Sequence, residues 1–300
     1  MATSPEQAYD LGEIPSARGL AMGGALSALG VSTTALYLNP ANMSLARVYH
    51  LEALGSFSPE AKRQTYGLAA VDSVLNASHV AGGLAGTWSL IDPDGIHRSW
   101  TDVRVGASLP LGDHFSLGTT LRWLRVDQGV GAGPFGKSSA SDGTRDGPIF
   151  DAVTLDAGAT AGIGGFRVAV VGHNLTNPST ALAPTTATAG VGYSTETFAV
   201  EADGLLDFTT WGGSRGRFMG GGELFVAERY ALRAGWRYDG GTATNAASFG
   251  LGYIDPRWSI EIALRRDVGG DRGATLGVLS LRYFYDPMAG STPADNPDSM

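Results

Sequence analysis

The chain has 300 residues, of which 17% are charged and 44 are glycine, and its net charge is -8. Average soluble domains carry about 25% charged residues and about 7% glycine, so this composition is unusual for that class. The charges are scattered and form no basic patch, which argues against nucleic acid as a partner. The absence of cysteine excludes disulfides, thiolate metal sites and cysteine nucleophiles. No window holds the run of about 18 apolar residues that a membrane-spanning helix requires, so strands are the only means of crossing a membrane.

The chain begins with polar residues, MATSPEQAYD, and shows no basic and apolar leader. We expect that a signal peptide was removed before this numbering begins, because the location predicted below requires export. The first 45 residues do not alternate, and small residues dominate between Ala17 and Gly30. Asn39 and Pro40 predict the start of a helix, since Asn caps free amides and Pro suits the first helical position. The residues alone leave two interpretations open: a flexible leader with one helical turn, or a compact insert in a lumen.

From residue 47 onward, apolar and polar residues alternate with a period of two, as in strands with one apolar and one polar face. Between 230 and 238, for example, Leu232 and Trp236 alternate with Arg233 and Arg237. Most such segments are close to the ~9–11 residues that a tilted strand needs to cross a bilayer. We predict fourteen strands, near 47–57, 65–74, 78–89, 101–109, 114–126, 152–162, 165–173, 185–193, 196–206, 217–226, 229–238, 245–254, 258–267 and 273–285.

The predicted connections alternate in length, as in bacterial barrels with long outer loops and short inner turns. A soluble β-sandwich is an alternative because its strands also alternate, although it gives no reason for alternating loop lengths. We therefore predict an all-β fold: a transmembrane antiparallel barrel of about 14 strands, in contact with the lipid of a Gram-negative outer membrane. The outward connections include 90–100, 127–151, 174–184 and 207–216. The inward connections include 76–77, 110–113, 164 and 194–195.

These predictions divide the chain into three parts. Residues 1–45 form an amino-terminal segment, residues 46–286 form the barrel, and residues 287–300 form a tail. Pro287, Pro293 and Pro297 make the tail a poor strand or helix, so we expect it to be disordered in the periplasm.

Two stretches of the amino-terminal segment carry a resemblance: RGLAMGGA at 18–25 and TALYLNPA at 34–41. Together they resemble the amino-terminal signature of the FadL and PorV superfamily, in which an R-x-x-x-MGGA-like stretch precedes an aromatic residue and Asn-Pro-Ala. The predicted pattern of fourteen strands agrees with the fourteen-stranded barrel of that group. The resemblance implies an amino-terminal segment that sits in the lumen as a hatch. Its hatch residues would be Arg18, Met22, Gly23, Gly24, Asn39, Pro40 and Ala41.

The resemblance implies two different functions. In FadL-like members the hatch controls the passage of long-chain fatty acids or aromatic hydrocarbons, which implies a small hydrophobic ligand. PorV-like members are scaffolds or shuttles that bind outer-membrane or secreted protein partners. This chain departs from FadL because its outer loops lack long apolar segments; the longest, 128–150, is polar and glycine-rich. We predict passive passage of small hydrophobic compounds, and the alternative is a non-conducting scaffold. An apolar tunnel through the lumen would favour passage. A filled lumen would favour the scaffold.

Charged residues recur on the polar faces of the predicted strands. They should point into the lumen, because an arginine on the lipid face costs about 2–4 kcal/mol at the bilayer midplane. They would form either a charged pathway or, as we expect, an ion-pair network inside a plugged barrel. These residues are Arg104, Arg122, Asp156, Arg167, Glu201, Asp203, Glu223, Arg233, Arg237, Glu261, Arg265 and Arg282.

No residue pattern indicates catalysis. The glycine runs 129–133 and 220–222 are not phosphate loops, because both lack the lysine that would follow such a loop. We expect the run 220–222 to leave room for a hatch or to allow a kink in its strand. His173 should contact solvent in an outer loop. We predict no enzymatic activity, no metal and no cofactor. Five histidines lack metal-ligand spacing: His50, His79, His97, His114 and His173.

Overall fold

The computed structural model describes residues 16–74, 80–91, 97–128, 148, 150–180, 182–270 and 273–285. Within these residues, fourteen antiparallel strands pair in chain order and close into one barrel, since β1 also pairs with β14. The strands are β1 (Tyr49–Ser58), β2 (Arg63–Asp72), β3 (Ala81–Ile91), β4 (Arg98–Leu111), β5 (Phe115–Gln128), β6 (Phe150–Ile163), β7 (Phe166–His173), β8 (Thr186–Ser194), β9 (Phe198–Asp207), β10 (Arg215–Val226), β11 (Tyr230–Asp239), β12 (Thr244–Ile254), β13 (Trp258–Gly269) and β14 (Thr275–Tyr285). The predicted fold is confirmed, and every strand begins and ends within three residues of its prediction.

Side chains alternate between an apolar outer surface and a polar interior. In β11, Leu232 and Trp236 are exposed, whereas Arg233 and Arg237 are buried. Neighbouring residues of a strand point to opposite faces, so the same alternation repeats around the ring. A soluble sandwich would bury the apolar face against a second sheet, and that alternative is therefore wrong. No helix of the described residues has both the length and the apolar character to cross a membrane.

Two of the short connections that were predicted, 110–113 and 164, are tight turns. Gly112 lies in the turn between β4 and β5, and Gly164 lies in the turn between β6 and β7. Their φ angles of 68° and 58° fall in the left-handed region, which glycine adopts without steric cost. The predicted connection at 76–77 and residues 129–147 of the longest predicted loop lie outside the described residues, as does the predicted tail at 287–300.

The chain from residue 16 to residue 48, here called the luminal segment, lies inside the barrel. Its first helix packs on β11–β14, and its last 3-10 helix packs on β3–β6, across the lumen. Its small side chains, such as Ala21, Ala28 and Ala35, are fully buried. This packing excludes a flexible leader for residues 16–45. The segment contains a helix at Ala17–Ala21, a 3-10 helix at Ser32–Thr34, a helix at Ala35–Leu38 and a 3-10 helix at Pro40–Ser44.

Glycines of the wall allow the luminal segment to approach the strands closely. A Cβ atom on Gly221 or Gly235 would clash with the backbone of Met22. The prediction that the glycine run 220–222 leaves room in the lumen is confirmed at Gly221. On the other side of the barrel, a Cβ atom on Gly118 would clash with the backbone of Pro40 and Ala41, and one on Gly158 would clash with the side chain of Asn39.

Candidate functional site

Asn39 joins three parts of the interior through one side chain. Its Nδ2 donates to the carbonyl oxygen of Ser27 at 2.7 Å and to Oγ1 of Thr160 on β6 at 2.8 Å. Its Oδ1 accepts from the amide of Ala41 at 3.1 Å and so caps the 3-10 helix in which Pro40 comes first. The predicted helix start at Asn39 and Pro40 is confirmed. The arrangement ties the bend at Ser27, the 3-10 helix and the barrel wall together.

Arg18 connects the luminal segment to a row of alternating charges on the opposite wall. Its Nη2 lies 2.7 Å from Oε1 of Glu223 on β10. Glu223 also pairs with Arg233 of β11, and Nη2 of Arg233 lies 2.9 Å from Oε1 of Glu261 on β13. Arg282 on β14 continues the row, 4.0 Å from Glu261. Burial alone would lower the pKa of the Arg18 guanidinium, but Glu223 raises it above its ordinary value, so Arg18 is charged.

Two carboxylates of β9 hold the backbone of the luminal segment. Asp203 accepts from the amide of Ser27 at 3.0 Å. Glu201 accepts from the amides of Ala28 and Leu29 at 2.6 and 2.9 Å. Both side chains are buried and share the inner face of the strand, two residues apart. Because they bind backbone amides, no side-chain pattern in the segment could have indicated these partners.

A second charged cluster lies on β4 to β7. Asp102 lies between two arginines, 2.9 Å from Nε of Arg104 and 2.6 Å from Nη2 of Arg122. Asp156 lies 3.6 Å from Nη1 of Arg104 and 3.2 Å from Nδ1 of His173. The expectation that His173 contacts solvent in an outer loop is wrong, since it ends β7 and its ring turns inward to Asp156. Asp102 was missed as a site residue, although it shares the polar face with Arg104.

Asn174 fixes the connection between β7 and β8 onto this cluster. Its amide donates to Oδ1 of Asp156 at 2.8 Å, and its Oδ1 accepts from Nη1 of Arg122 at 3.0 Å. Its Nδ2 donates to the carbonyl oxygen of Pro184 at 2.7 Å. Asn174 has a φ of 53°, a left-handed conformation that Asn tolerates better than most residues. These bonds hold the two ends of the connection, Asn174 and Pro184, against the interior, while Leu175, Thr176 and Asn177 are exposed.

A cavity of about 120 Å³ remains between the luminal segment and the wall. Ser27, Tyr37 and Leu38 form its side on the luminal segment, and residues of β4, β5 and β7–β10 form the other. Nη1 of Arg104 also lies 3.3 Å from the carbonyl oxygens of Leu36 and Tyr37, so the cavity and the segment share a wall residue. Larger grooves, such as one of about 700 Å³ over β13, β14 and β1–β4, lie on the apolar outer surface and face lipid.

The remaining residues predicted for the site also lie in the interior. Met22 is fully buried beside Gly221, with Gly23 and Gly24 following it at positive φ. Arg237 and Arg265 are buried on the inner faces of β11 and β13, and Arg167 on β7 is half-buried. Across the described ranges, no three histidine or acidic side chains are grouped as a metal site would require.

The sequence matches no protein-family model and no curated protein. The structure is similar to the Ralstonia pickettii toluene transporter TbuX, with a TM-score of 0.65 and 13% identity over 93% of this chain and 100% of TbuX. It is also similar to a Pseudomonas aeruginosa FadL homologue, with a TM-score of 0.62 and 14% identity over 91% of this chain and 99% of the homologue. For the Pseudomonas putida toluene transporter TodX, the TM-score is 0.58 and the identity 13%, over 90% of this chain and 97% of TodX.

The chain therefore has the fold of FadL-like outer-membrane transport barrels, as its amino-terminal resemblance implies. A closed barrel with an apolar outer surface and a polar interior is the architecture of bacterial outer-membrane proteins. The structure therefore agrees with the predicted location in the bacterial outer membrane.

Proposed function

We propose that the protein is a passive outer-membrane channel for small hydrophobic compounds, with the luminal segment as its hatch. The observation that carries this proposal is the cavity between the luminal segment and the wall. Since Ser27, Tyr37 and Leu38 form one of its sides, a shift of the segment would extend the cavity along the lumen. The fold shared with two toluene transporters supports the same class of compound.

The proposed hatch is held by polar contacts that can exchange with water. Asn39, Glu201 and Asp203 bind the segment through hydrogen bonds, and Arg18 binds the wall through an ion pair. A hydrogen bond to a charged group contributes a net ~1.5–3 kcal/mol, so a local shift that breaks two of these contacts costs about 3–6 kcal/mol. Such openings are accessible without unfolding the barrel.

The test of passage is toluene uptake into vesicles with a lipopolysaccharide outer leaflet, which slows unassisted entry, and an encapsulated cyclodextrin that retains the toluene. Thr188 of β8 lines the cavity, so Thr188→Trp should fill it and reduce uptake severalfold. Val191 of the same strand is exposed on the outer surface, and Val191→Trp is the matched control. Uptake equal to that of protein-free vesicles for the unmodified protein would overturn the proposal.

A second candidate function is a non-conducting scaffold for partner proteins. The observation that favours it is the occupied lumen, because the luminal segment spans the interior and is bound to both walls. Native mass spectrometry of the protein, extracted gently from its own membrane, separates the candidates. A bound hydrophobic compound of low mass would support the channel, and a stoichiometric protein partner without such a compound would support the scaffold.

A further inference from the structure

The cavity beside the luminal segment has two kinds of lining. One part is apolar and includes Leu38, Leu205 and Met219. The other part is basic. No acidic side chain of the described residues lines the cavity, whereas four basic side chains do. These are Arg104, Arg122, His173 and Arg217.

The carboxylates that balance these cations lie outside the lining. Asp102 binds both Arg104 and Arg122, and Asp239 accepts from Nη2 of Arg217 at 2.9 Å. A ligand in the cavity therefore meets the basic groups first, while the acids lie in the surrounding wall. Guanidinium groups present five N–H donors each and can bind a second acceptor beside the first.

His173 supplies the ring atom best placed for a ligand. Its Nδ1 lies 3.2 Å from Oδ2 of Asp156, and its other ring nitrogen has no hydrogen-bond partner among the described residues. Asp156 lies on the Nδ1 side of the ring, so Nε2 is the ring nitrogen that can form a hydrogen bond with the carboxyl group of a ligand.

The size of the cavity restricts the ligand. A dry apolar cavity of about 150 Å³ is known to hold benzene, so about 120 Å³ suits a single ring or a short branched chain. A long acyl chain would have to extend beyond the cavity. The ring would contact Leu205 and Met219, and a polar group would face the arginines and His173.

We propose that the cavity selects small hydrophobic compounds that carry one carboxylate, of which benzoate is the simplest aromatic example. This inference rests on the proposed channel function and names the class of compound that the same site prefers. The apolar lining binds the ring, and His173, Arg122 and Arg217 bind the carboxylate, so that neutral and cationic analogues of equal size bind less tightly.

The test measures binding of benzoate, benzyl alcohol and benzylammonium to the purified full-length chain in detergent by titration calorimetry. Benzoate should bind at least about tenfold more tightly than benzyl alcohol, and benzylammonium should not bind. In His173→Gln, and in the double variant Arg217→Gln with Asp239→Asn, the preference should fall to less than about threefold. The double variant replaces the ion pair of Arg217 and Asp239 with a neutral pair of similar shape.

A matched control removes an ion pair far from the cavity. Arg266 lies 2.6 Å from Glu60 on the outer side of the barrel and is half exposed, so Arg266→Gln with Glu60→Gln should leave the preference unchanged. Equal binding of benzoate and benzyl alcohol by the unmodified protein would overturn the proposal, as would a preference that survives both cavity variants. Toluene uptake without a benzoate preference would leave the channel standing and reject the carboxylate class. A benzoate preference without uptake of either compound would reject the channel and keep the site.

Discussion

Arg18 and Glu223 are separated by 205 residues, yet they form a two-point ion pair in which Nη2 and Nε of Arg18 lie 2.7 and 3.1 Å from the two carboxylate oxygens. The pair is the charged connection between the luminal segment and β10. Glu223 also binds Arg233, so its carboxylate is shared by one guanidinium from the segment and one from the wall.

Glu223→Gln should destabilise the protein by about 3–5 kcal/mol, because two buried guanidinium groups lose their shared carboxylate. The measurement is equilibrium unfolding in denaturant, followed by the heat-modifiable electrophoretic mobility of the barrel. The double variant Arg18→Gln with Glu223→Gln is the control and should recover part of the loss, since Arg233 keeps Glu261. A double variant no more stable than Glu223→Gln alone would show that the pair with Arg18 is not the main contribution.

Asn39→Asp should release the luminal segment while the barrel stays folded. The new carboxylate keeps the contact with the amide of Ala41 but loses both donated bonds and repels the carbonyl oxygen of Ser27. Hydrogen exchange should become faster in residues 16–44 and stay slow in the strands. Asn177→Asp is the control. Among the described residues, the side chain of Asn177 forms hydrogen bonds only as an acceptor, through Oδ1, and an aspartate can keep these bonds. Unchanged protection of residues 16–44 in Asn39→Asp would contradict the role of Asn39.

Gly158→Ala should lower stability by about 1–3 kcal/mol, because its methyl group would overlap the side chain of Asn39. Gly86→Ala on β3 is the matched control, since a Cβ atom there has no neighbour within 4 Å. The denaturant midpoints of the two variants should therefore move apart. Similar midpoints for both would indicate that the wall does not approach the luminal segment as closely as described.

The outer connection beside Glu60 should loosen in acid. Burial alone would raise the pKa of Glu60, but hydrogen bonds with its own backbone amide, with the hydroxyl and amide of Thr275 and with Arg266 lower it. A lowered pKa in the folded state means that this stabilisation is present above the ordinary value of about 4.3 and is lost as the pH falls below it. Exchange of the Thr275 amide should therefore lose protection below that pH, and Glu60→Gln should remove the pH dependence. A pH dependence that persists in Glu60→Gln would assign it to another group.

The strands could be predicted from the sequence because each has an apolar face toward lipid and a polar face toward the interior. In β13, Ile260 and Ile262 are exposed to lipid while Glu261 is buried, so apolar and polar residues alternate with a period of two in the sequence. The inward direction of the charged residues follows from the same rule. The cap at Asn39 could be predicted because it depends on neighbours in the chain.

The contacts of the interior could not be predicted, because they join residues far apart in the sequence. Glu201 and Asp203 bind backbone amides, which have no side-chain signature. His173 is the last residue of its strand and precedes polar residues, so its local sequence indicates contact with solvent. Only the position of Asp156 on the neighbouring strand explains its inward ring. The cavity depends on how the luminal segment packs, which no period in the sequence encodes.

The measurement that tests the central claim most directly is toluene uptake through a protein whose luminal segment is locked to the wall. Oγ of Ser44 lies 2.7 Å from Oγ of Ser108 on β4, so cysteines at both positions can close a disulfide with an S–S length of about 2.05 Å. The chain has no other cysteine, so Ser44→Cys with Ser108→Cys can form only this bond within one molecule. We predict that oxidation of this variant reduces uptake to the level of protein-free vesicles and that reduction restores it. Equal uptake by the fully cross-linked and the reduced protein would contradict a hatch that moves during passage.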